Sequence, residues 1–168
     1  MKKNPVSEKE EETFMRLALA EAEKALACGD VPVGAVLVRE GKILACGHNT
    51  RVAGRKPTGH AEINVLEEAA GVLGSWRLDR CTLYVTLEPC MMCAGAISQA
   101  HVERIVYGAR DAVAGACGSV FSLNRYPLGP KVRIEGGILA AECQDLLRRF
   151  FDTMRRSPAG ESASEDIL

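Results

Sequence analysis

Residues 86–96 read TLEPCMMCAGA, a Cys-x-x-Cys pair with Glu88 and Pro89 directly before it. The residues just upstream, CTLYVTL (81–87), have the apolar, β-branched character of a buried strand. Pro89 cannot continue a strand ladder, and its ring presets the first turn of a helix. CMMCAGAISQA (90–100) therefore reads as a short helix with Cys90 and Cys93 in its first turn. The helix dipole and free N–H groups favour thiolates there. Thiolate binds metal, but it also serves a redox couple. The spacing alone leaves three readings: metal site, redox pair or two buried thiols.

Outward from this stretch, helices and strands alternate. Residues 7–28 read as a helix opened by a Ser7/Glu10 capping box, striped by Phe14, Leu17, Ala18 and Ala25, and ended at Gly29. VGAVLVREGKILACGHN (33–49) reads as two strands joined by a tight turn at Glu40-Gly41. GHAEINVLEEAAGVLG (59–74) reads as a second helix, RIVYGA (104–109) and KVRIEG (131–136) as strands, and LAAECQDLLRRFFDTMRR (139–156) as a closing helix. This order predicts an α/β fold of three layers, α-β-α, with a five-stranded mixed sheet flanked by helices. A single domain is expected over residues 1–156. SPAGESASEDIL (157–168) is small, polar and acidic, and is expected to be a disordered tail.

The 168 residues are 47% hydrophobic and 26% charged, the make-up of a soluble globular chain. No apolar run approaches the ~18 residues of a membrane span. MKKNPVSEKEEETF (1–14) lacks the apolar core of an export signal. Seven cysteines are an odd count for disulfide staples and read as reduced thiols of a cytoplasmic protein. A net charge of −1 neither supports nor excludes a nucleic-acid partner, since a local basic patch is enough. Two such patches exist: Arg51, Arg55 and Lys56, and the arginines 148, 149, 155 and 156 around Phe150 and Phe151.

TGHAEIN (58–64) places His60 at the start of the second helix. Two strand-to-helix turns in one sheet can bring two helix N-termini together, and His60, Cys90 and Cys93 would then form a three-ligand set. Three ligands suit a catalytic zinc that keeps one position for water, whereas structural zinc takes four. Cys81 and Cys117 have no ligand-type spacing to the pair. Glu62 lies two positions from His60 and so on a different helix face. From there it could reach a metal-bound water from the side and shuttle its proton. Taken by itself, Glu62 is an ordinary first-turn acid on a helix dipole.

HAE (60–62) followed by PCMMC (89–93) resembles the signature of the zinc-dependent nucleoside and base deaminases, whose fold is of the cytidine deaminase type. VPVGAVLV (31–38), HAEI (60–63), TLYVTLEPCMMCAGAI (82–97), GARD (108–111) and GILAAEC (137–143) are similar, in order and spacing, to motifs of the bacterial tRNA-specific adenosine deaminases. So is the FF at 150–151 followed by arginines; the resemblance covers roughly residues 10–156.

That family converts the wobble adenosine of a tRNA anticodon, chiefly of an arginine tRNA, to inosine. It works as a homodimer with RNA contacts from both subunits. The resemblance implies one zinc (Zn2+) per subunit on His60, Cys90 and Cys93, with Glu62 as proton shuttle. It implies base contacts from Asn49 and from the Ala61 N–H, and a place for Asp111 near the RNA sugar. Arg155 and Arg156, with Arg51, Arg55 and Lys56, are candidates for phosphate contacts. Two departures from the family stand out: Ala112, Val113 and Ala114 follow GARD where relatives often carry a lysine, and the tail is acidic.

Three other readings compete: a small-molecule deaminase for guanine or a cytosine nucleotide, a zinc-stabilised binding domain without catalysis, and a thioredoxin-like redox pair. GARD and the basic last helix argue against the first; the second calls for a closed four-ligand site and leaves Glu62 without a role, and the third leaves both His60 and Glu62 unexplained. Glu88 is expected to hold its loop through backbone hydrogen bonds, and Met91 and Met92 to pack on the core or on a second subunit. Cys28, Cys46, Cys117 and Cys143 are expected to be buried or partly buried.

Overall fold

The computed structural model describes residues 7–125 and 129–156. In chain order they form α1 (Glu8–Ala27), β1 (Gly34–Arg39), β2 (Lys42–His48), α2 (Ala61–Leu73), β3 (Cys81–Leu87), α3 (Met91–Gln99), β4 (Arg104–Ala109), a 3₁₀ turn (Leu123–Arg125), β5 (Arg133–Gly136) and α4 (Ala140–Arg156). The strands make one sheet in the order β2-β1-β3-β4-β5. β1 is antiparallel to both β2 and β3, while β3, β4 and β5 run parallel. This is the expected mixed five-stranded α/β architecture.

The layers follow from strand alternation. Ala35 and Leu37 of β1, Leu83 and Val85 of β3, and Ile105 of β4 pack with Val65 of α2 and Ile97 of α3. Val36, Val38, Tyr84 and Val106 belong to the other cluster, with Met15 and Ala18 of α1 and Cys143 of α4. So α2 and α3 cover one face and α1 and α4 the other. The Ser7/Glu10 capping box of α1 is formed in full. The β1–β2 turn has φ 53 at Glu40 and 77 at Gly41, the two left-handed residues a two-residue hairpin of this type needs. At Gly34 the backbone of α1 comes so close that a Cβ would lie 2.0 Å from the Ala18 carbonyl oxygen.

An ion cluster locks the α1 side. Arg104, 5% exposed, reaches Glu11 of α1 at 2.6 Å and donates from Nε to Glu135 of β5 at 3.0 Å. Pairing with two carboxylates offsets much of the cost of burying the guanidinium.

Four expectations need correction or limits. Cys90 is the N-cap of α3 rather than a residue of its first turn, with Pro89 directly before it. Met91 is 65% and Met92 37% exposed, so neither is a core residue. Cys28 is exposed. The tail at 157–168 lies outside the described residues. No helix among the described residues is long and apolar enough to cross a membrane.

Hydrogen bonding to Arg104 holds the Glu135 carboxyl below its ordinary value of 4.5. Because the folded value is the lower one, Glu135 contributes stability above about pH 4.5 that is lost as the pH falls through the folded value. Glu135→Gln is therefore expected to flatten the acid limb of stability, measured by urea unfolding from pH 7 down to ~3. An unchanged limb would show that the pair adds nothing to the folded state.

Candidate metal centre and substrate cleft

Strand direction explains the convergence of the site. β2 and β3 are each antiparallel to β1 and so run the same way. The helices that follow them, α2 and α3, therefore start at the same edge of the sheet and lie on the same face. His60 is the N-cap of α2 and Cys90 the N-cap of α3. Neither side chain caps its own helix, in contrast to Ser7 on α1. They turn towards each other instead. His60 Nδ1 lies 3.7 Å from Cys90 Sγ and 3.5 Å from Cys93 Sγ. The three donor atoms all lie within 4.8 Å of one another.

Bonds of ~2.1 Å to nitrogen and ~2.3 Å to sulfur give a tetrahedral zinc site a ligand–ligand edge of ~3.6 Å. The observed separations fit that edge, and one imidazole with two thiols is a zinc donor set. No fourth His, Cys, Asp or Glu joins the group among the described residues. Cys117 is buried, its thiol pushed up to about 12 by burial. The Cys81 thiol contacts the Asp79 carbonyl instead. Such a donor set would leave one position of a tetrahedral metal open.

The donor groups shift one another's proton affinities. The hydrogen bond from Cys93, followed by that from His60, brings the Cys90 thiol down to about 4. The same bond, with burial, pushes Cys93 up. The hydrogen bond to Cys90 also raises His60. Glu62 is 3% exposed, and burial pushes its carboxyl up to about 7. A group that gains and loses a proton near neutrality is what general acid–base chemistry requires.

His60, Glu62 and Cys90 line a cleft of about 450 Å³, which suits a small organic group such as a nucleobase; Cys93 is buried behind them and does not line it. Asn49, Glu62 and Asp111 all face it, as do His60 and Cys90. Asn49 Oδ1 accepts the Ala61 N–H at 2.9 Å. That leaves Asn49 Nδ2 without a protein partner among the described residues. The Ala61 N–H is thus engaged, and Ala61 does not line the cleft. Arg51 lines it, while Arg55 and Lys56 lie exposed beyond it. Arg155 and Arg156 are exposed at the end of α4 and do not reach the cleft; Arg155 pairs with Asp152.

Of the two phenylalanines beside the arginines, Phe151 forms part of the cleft wall and Phe150 is buried in the core, as helical spacing implies for one of them. Other residues of the cleft were not anticipated, among them Leu147, which joins Phe151 in the wall. Leu147 and Phe151 sit at i and i+4, a second apolar stripe offset by one residue from Cys143, Leu146 and Phe150. That offset was the available signal. Asp30, 1% exposed, accepts the N–H groups of Val52 and Ala53 at 2.8 and 2.9 Å and so anchors the Arg51 loop. Nothing in its sequence context marks that role.

Residues 8–109 match the family described as the cytidine and deoxycytidylate deaminase zinc-binding region. The tRNA-specific adenosine deaminase of Bacillus subtilis is 43% identical over 148 residues, which covers 88% of this chain and 92% of that relative. The chain belongs to the tRNA-specific adenosine deaminases of this zinc-binding family. A solved structure from studies of A-to-I editing by tRNA:A34 deaminases is similar at 41% identity and a TM-score of 0.78, over 80% of this chain and 98% of that one. A guanine deaminase from Bacillus subtilis is similar with a TM-score of 0.57 and 40% identity, over 59% of this chain and 64% of that one. In this adenosine deaminase family member, as in the wider family, the cofactor is zinc.

Metal analysis of purified protein tests the donor set. Cys90→Ser and His60→Ala are each expected to lower zinc from about one per chain to under ~10% of that, since loss of one of three ligands leaves too few. Asn49→Ala is expected to keep its zinc. Full zinc occupancy in Cys90→Ser would remove Cys90 from the site.

Proposed function

We propose that this protein deaminates the wobble adenosine of a tRNA anticodon hydrolytically to inosine, and that the residues of the cleft carry the reaction. The observation that supports this most is the meeting of a buried carboxyl, Glu62, with the His60–Cys90–Cys93 donor set in one open cleft. The family relationship supports the substrate class.

His60, Cys90 and Cys93 would hold the zinc. When bound, zinc supplies a water whose pKa is lowered towards neutrality. Glu62 would take a proton from the attacking water and deliver it to N1 of the adenine as the water oxygen bonds to C6. The C6–N6 bond then breaks. The amino group leaves as ammonia, taking up the proton of the new C6 hydroxyl by way of Glu62, and inosine remains. One water is consumed and one ammonia released. Asn49 Nδ2 donates to an acceptor on the purine edge. Asp111 Oδ2 serves the ribose side, because Oδ1 is used by the N–H groups of Val113 and Ala114. Adenosine must leave the anticodon stack to enter. Arg51 at the cleft, Arg55 and Lys56 beyond it, and Arg155 and Arg156 at the end of α4 contact the RNA backbone. The Ala61 N–H serves indirectly by fixing the Asn49 amide.

The partner is an arginine tRNA, in the cytoplasm, and the working form is a homodimer. The exposed Met91 and Met92 beside Cys90 support a subunit contact at the start of α3.

An anticodon stem-loop with adenosine at the wobble position is expected to yield inosine, read by nucleoside analysis. Free adenosine, cytidine and guanine are expected to stay unchanged. Glu62→Ala is expected to lower the rate by ~10³-fold or more while zinc is retained. Turnover of free guanine alone would favour the small-molecule reading. Undiminished rate in Glu62→Ala would remove Glu62 from the chemistry. In a separate test, light scattering is expected to give twice the 18.1 kDa chain mass; a monomer with full activity would rule out a shared site.

A further inference from the structure

Glu88 follows β3 directly and is 2% exposed. Its carboxylate accepts hydrogen bonds almost entirely from one stretch of backbone, the return loop 111–119. Oε1 accepts the N–H groups of Cys117 and Ser119, each at 3.0 Å. Oε2 accepts the Asp111 N–H at 3.2 Å and the Ser119 hydroxyl. The loop is pressed against this carboxylate. A Cβ on Gly115 would lie 2.6 Å from Glu88 Cδ and 2.4 Å from the Asp111 carbonyl oxygen. The same loop is stitched to the start of α3: Ala116 N donates to the Pro89 carbonyl at 2.8 Å, and Gly115 bridges Cys90. Residues 111–114 of this loop are a wall of the cleft.

Asp111 is therefore held from two sides. Its N–H is fixed by Glu88 Oε2, and its own Oδ1 closes a turn on Val113 and Ala114. Only Oδ2 remains without a protein partner among the described residues. We propose that Glu88 is a positioning residue for the RNA substrate: through Oε2 it sets the Asp111 turn, and so decides where Oδ2 meets the nucleotide entering the cleft. The proposal rests on the reading that the cleft receives a tRNA adenosine.

Glu88→Gln separates this role from general support of the loop. An amide keeps one acceptor and turns the other into a donor. The side with Cys117 N–H and Ser119 N–H needs an acceptor, so the amide oxygen stays there. The NH₂ then faces the Ser119 hydroxyl, which can rotate to accept, and the Asp111 N–H, which cannot. The substitution thus releases Asp111 while leaving the other contacts in place.

Steady-state kinetics on the anticodon stem-loop, with zinc measured on each protein, tests this. Glu88→Gln is expected to raise KM about tenfold, with kcat within about twofold and zinc unchanged, the effect of one buried donor left unsatisfied. Ser119→Ala is expected to stay within about twofold in both, because the Asp111 bond survives. Asp111→Ala is expected to raise KM by itself. On that background Glu88→Gln is expected to add less than about twofold, since the turn it sets no longer carries a carboxylate. An equal KM effect on both backgrounds, loss of zinc in Glu88→Gln, or a wild-type KM in Asp111→Ala each overturns the proposal. Should Glu88→Gln fail to fold, Gly115→Ala displaces the same turn from the opposite side. A raised KM with zinc retained supports the proposal there, and a wild-type KM overturns it. Absence of inosine with the wild-type protein overturns the deamination reading instead.

Discussion

The direction of β1 is the constraint on which the site depends. Because β1 opposes both of its neighbours, β2 and β3 run together, and α2 and α3 begin side by side. A parallel β1–β2 pair would have placed the start of α2 at the far edge of the sheet from Cys90. The packing that maintains this arrangement is apolar: Val65, Ile97, Leu37 and Leu83 share one cluster between the sheet and the two helices. The donor set thus depends on a hydrophobic layer that itself contains no chemistry. Small glycine contacts on the opposite face, at Gly34 and Gly108, let α1 and α4 close tightly enough to brace it.

Local stability gives way to function at the edge where the helices start. Helix α1 takes the best capping device available, with Ser7 and Glu10 reciprocally bonded. Helices α2 and α3 have His60 and Cys90 at the equivalent position, and neither satisfies an N–H of its own helix. A cap of this kind is worth about 1 kcal/mol, so both helices forgo it to direct a ligand atom outward. Part of the backbone satisfaction returns through neighbours. Asn49 takes the Ala61 N–H at the start of α2. That bond also fixes Asn49 in the wall of the cleft, so support and function use the same residue.

Two carboxylates near the His60–Cys90–Cys93 group show how environment separates proton affinities. Glu62 and Glu88 are both almost wholly buried. Glu62 has few hydrogen bonds, and burial raises its carboxyl to about 7. Glu88 is also opposed by burial, but Ser119 and three backbone N–H groups outweigh it and hold the carboxyl below its ordinary value. One is thereby equipped to carry a proton and the other to remain a fixed anion. Their sequence contexts, HAE and LEP, do not announce that division.

The strands, helices and donor residues were legible because their signals are local. Period-two alternation, a Ser7/Glu10 box, the Glu40-Gly41 turn and the HAE and PCMMC motifs act over a few residues, and each matched the structure within a residue or two. The convergence of His60, Cys90 and Cys93 was legible for the same reason, since two strand-to-helix connections carry all three. What the tertiary structure decided concerns groups whose partners are distant in the chain. Asp30 meets the loop at 52–53, Asn49 ties up the Ala61 N–H, Glu88 gathers residues 111–119, and α4 turns Leu147 and Phe151 rather than Arg155 and Arg156 to the cleft. A hydrogen-bond donor or an apolar side chain has no preferred partner written beside it. Sequence by itself determined which elements form and which atoms can bind zinc. Only the packed sheet, by bringing separate loops to one edge, decided which side chains face the substrate and which hold the others in place.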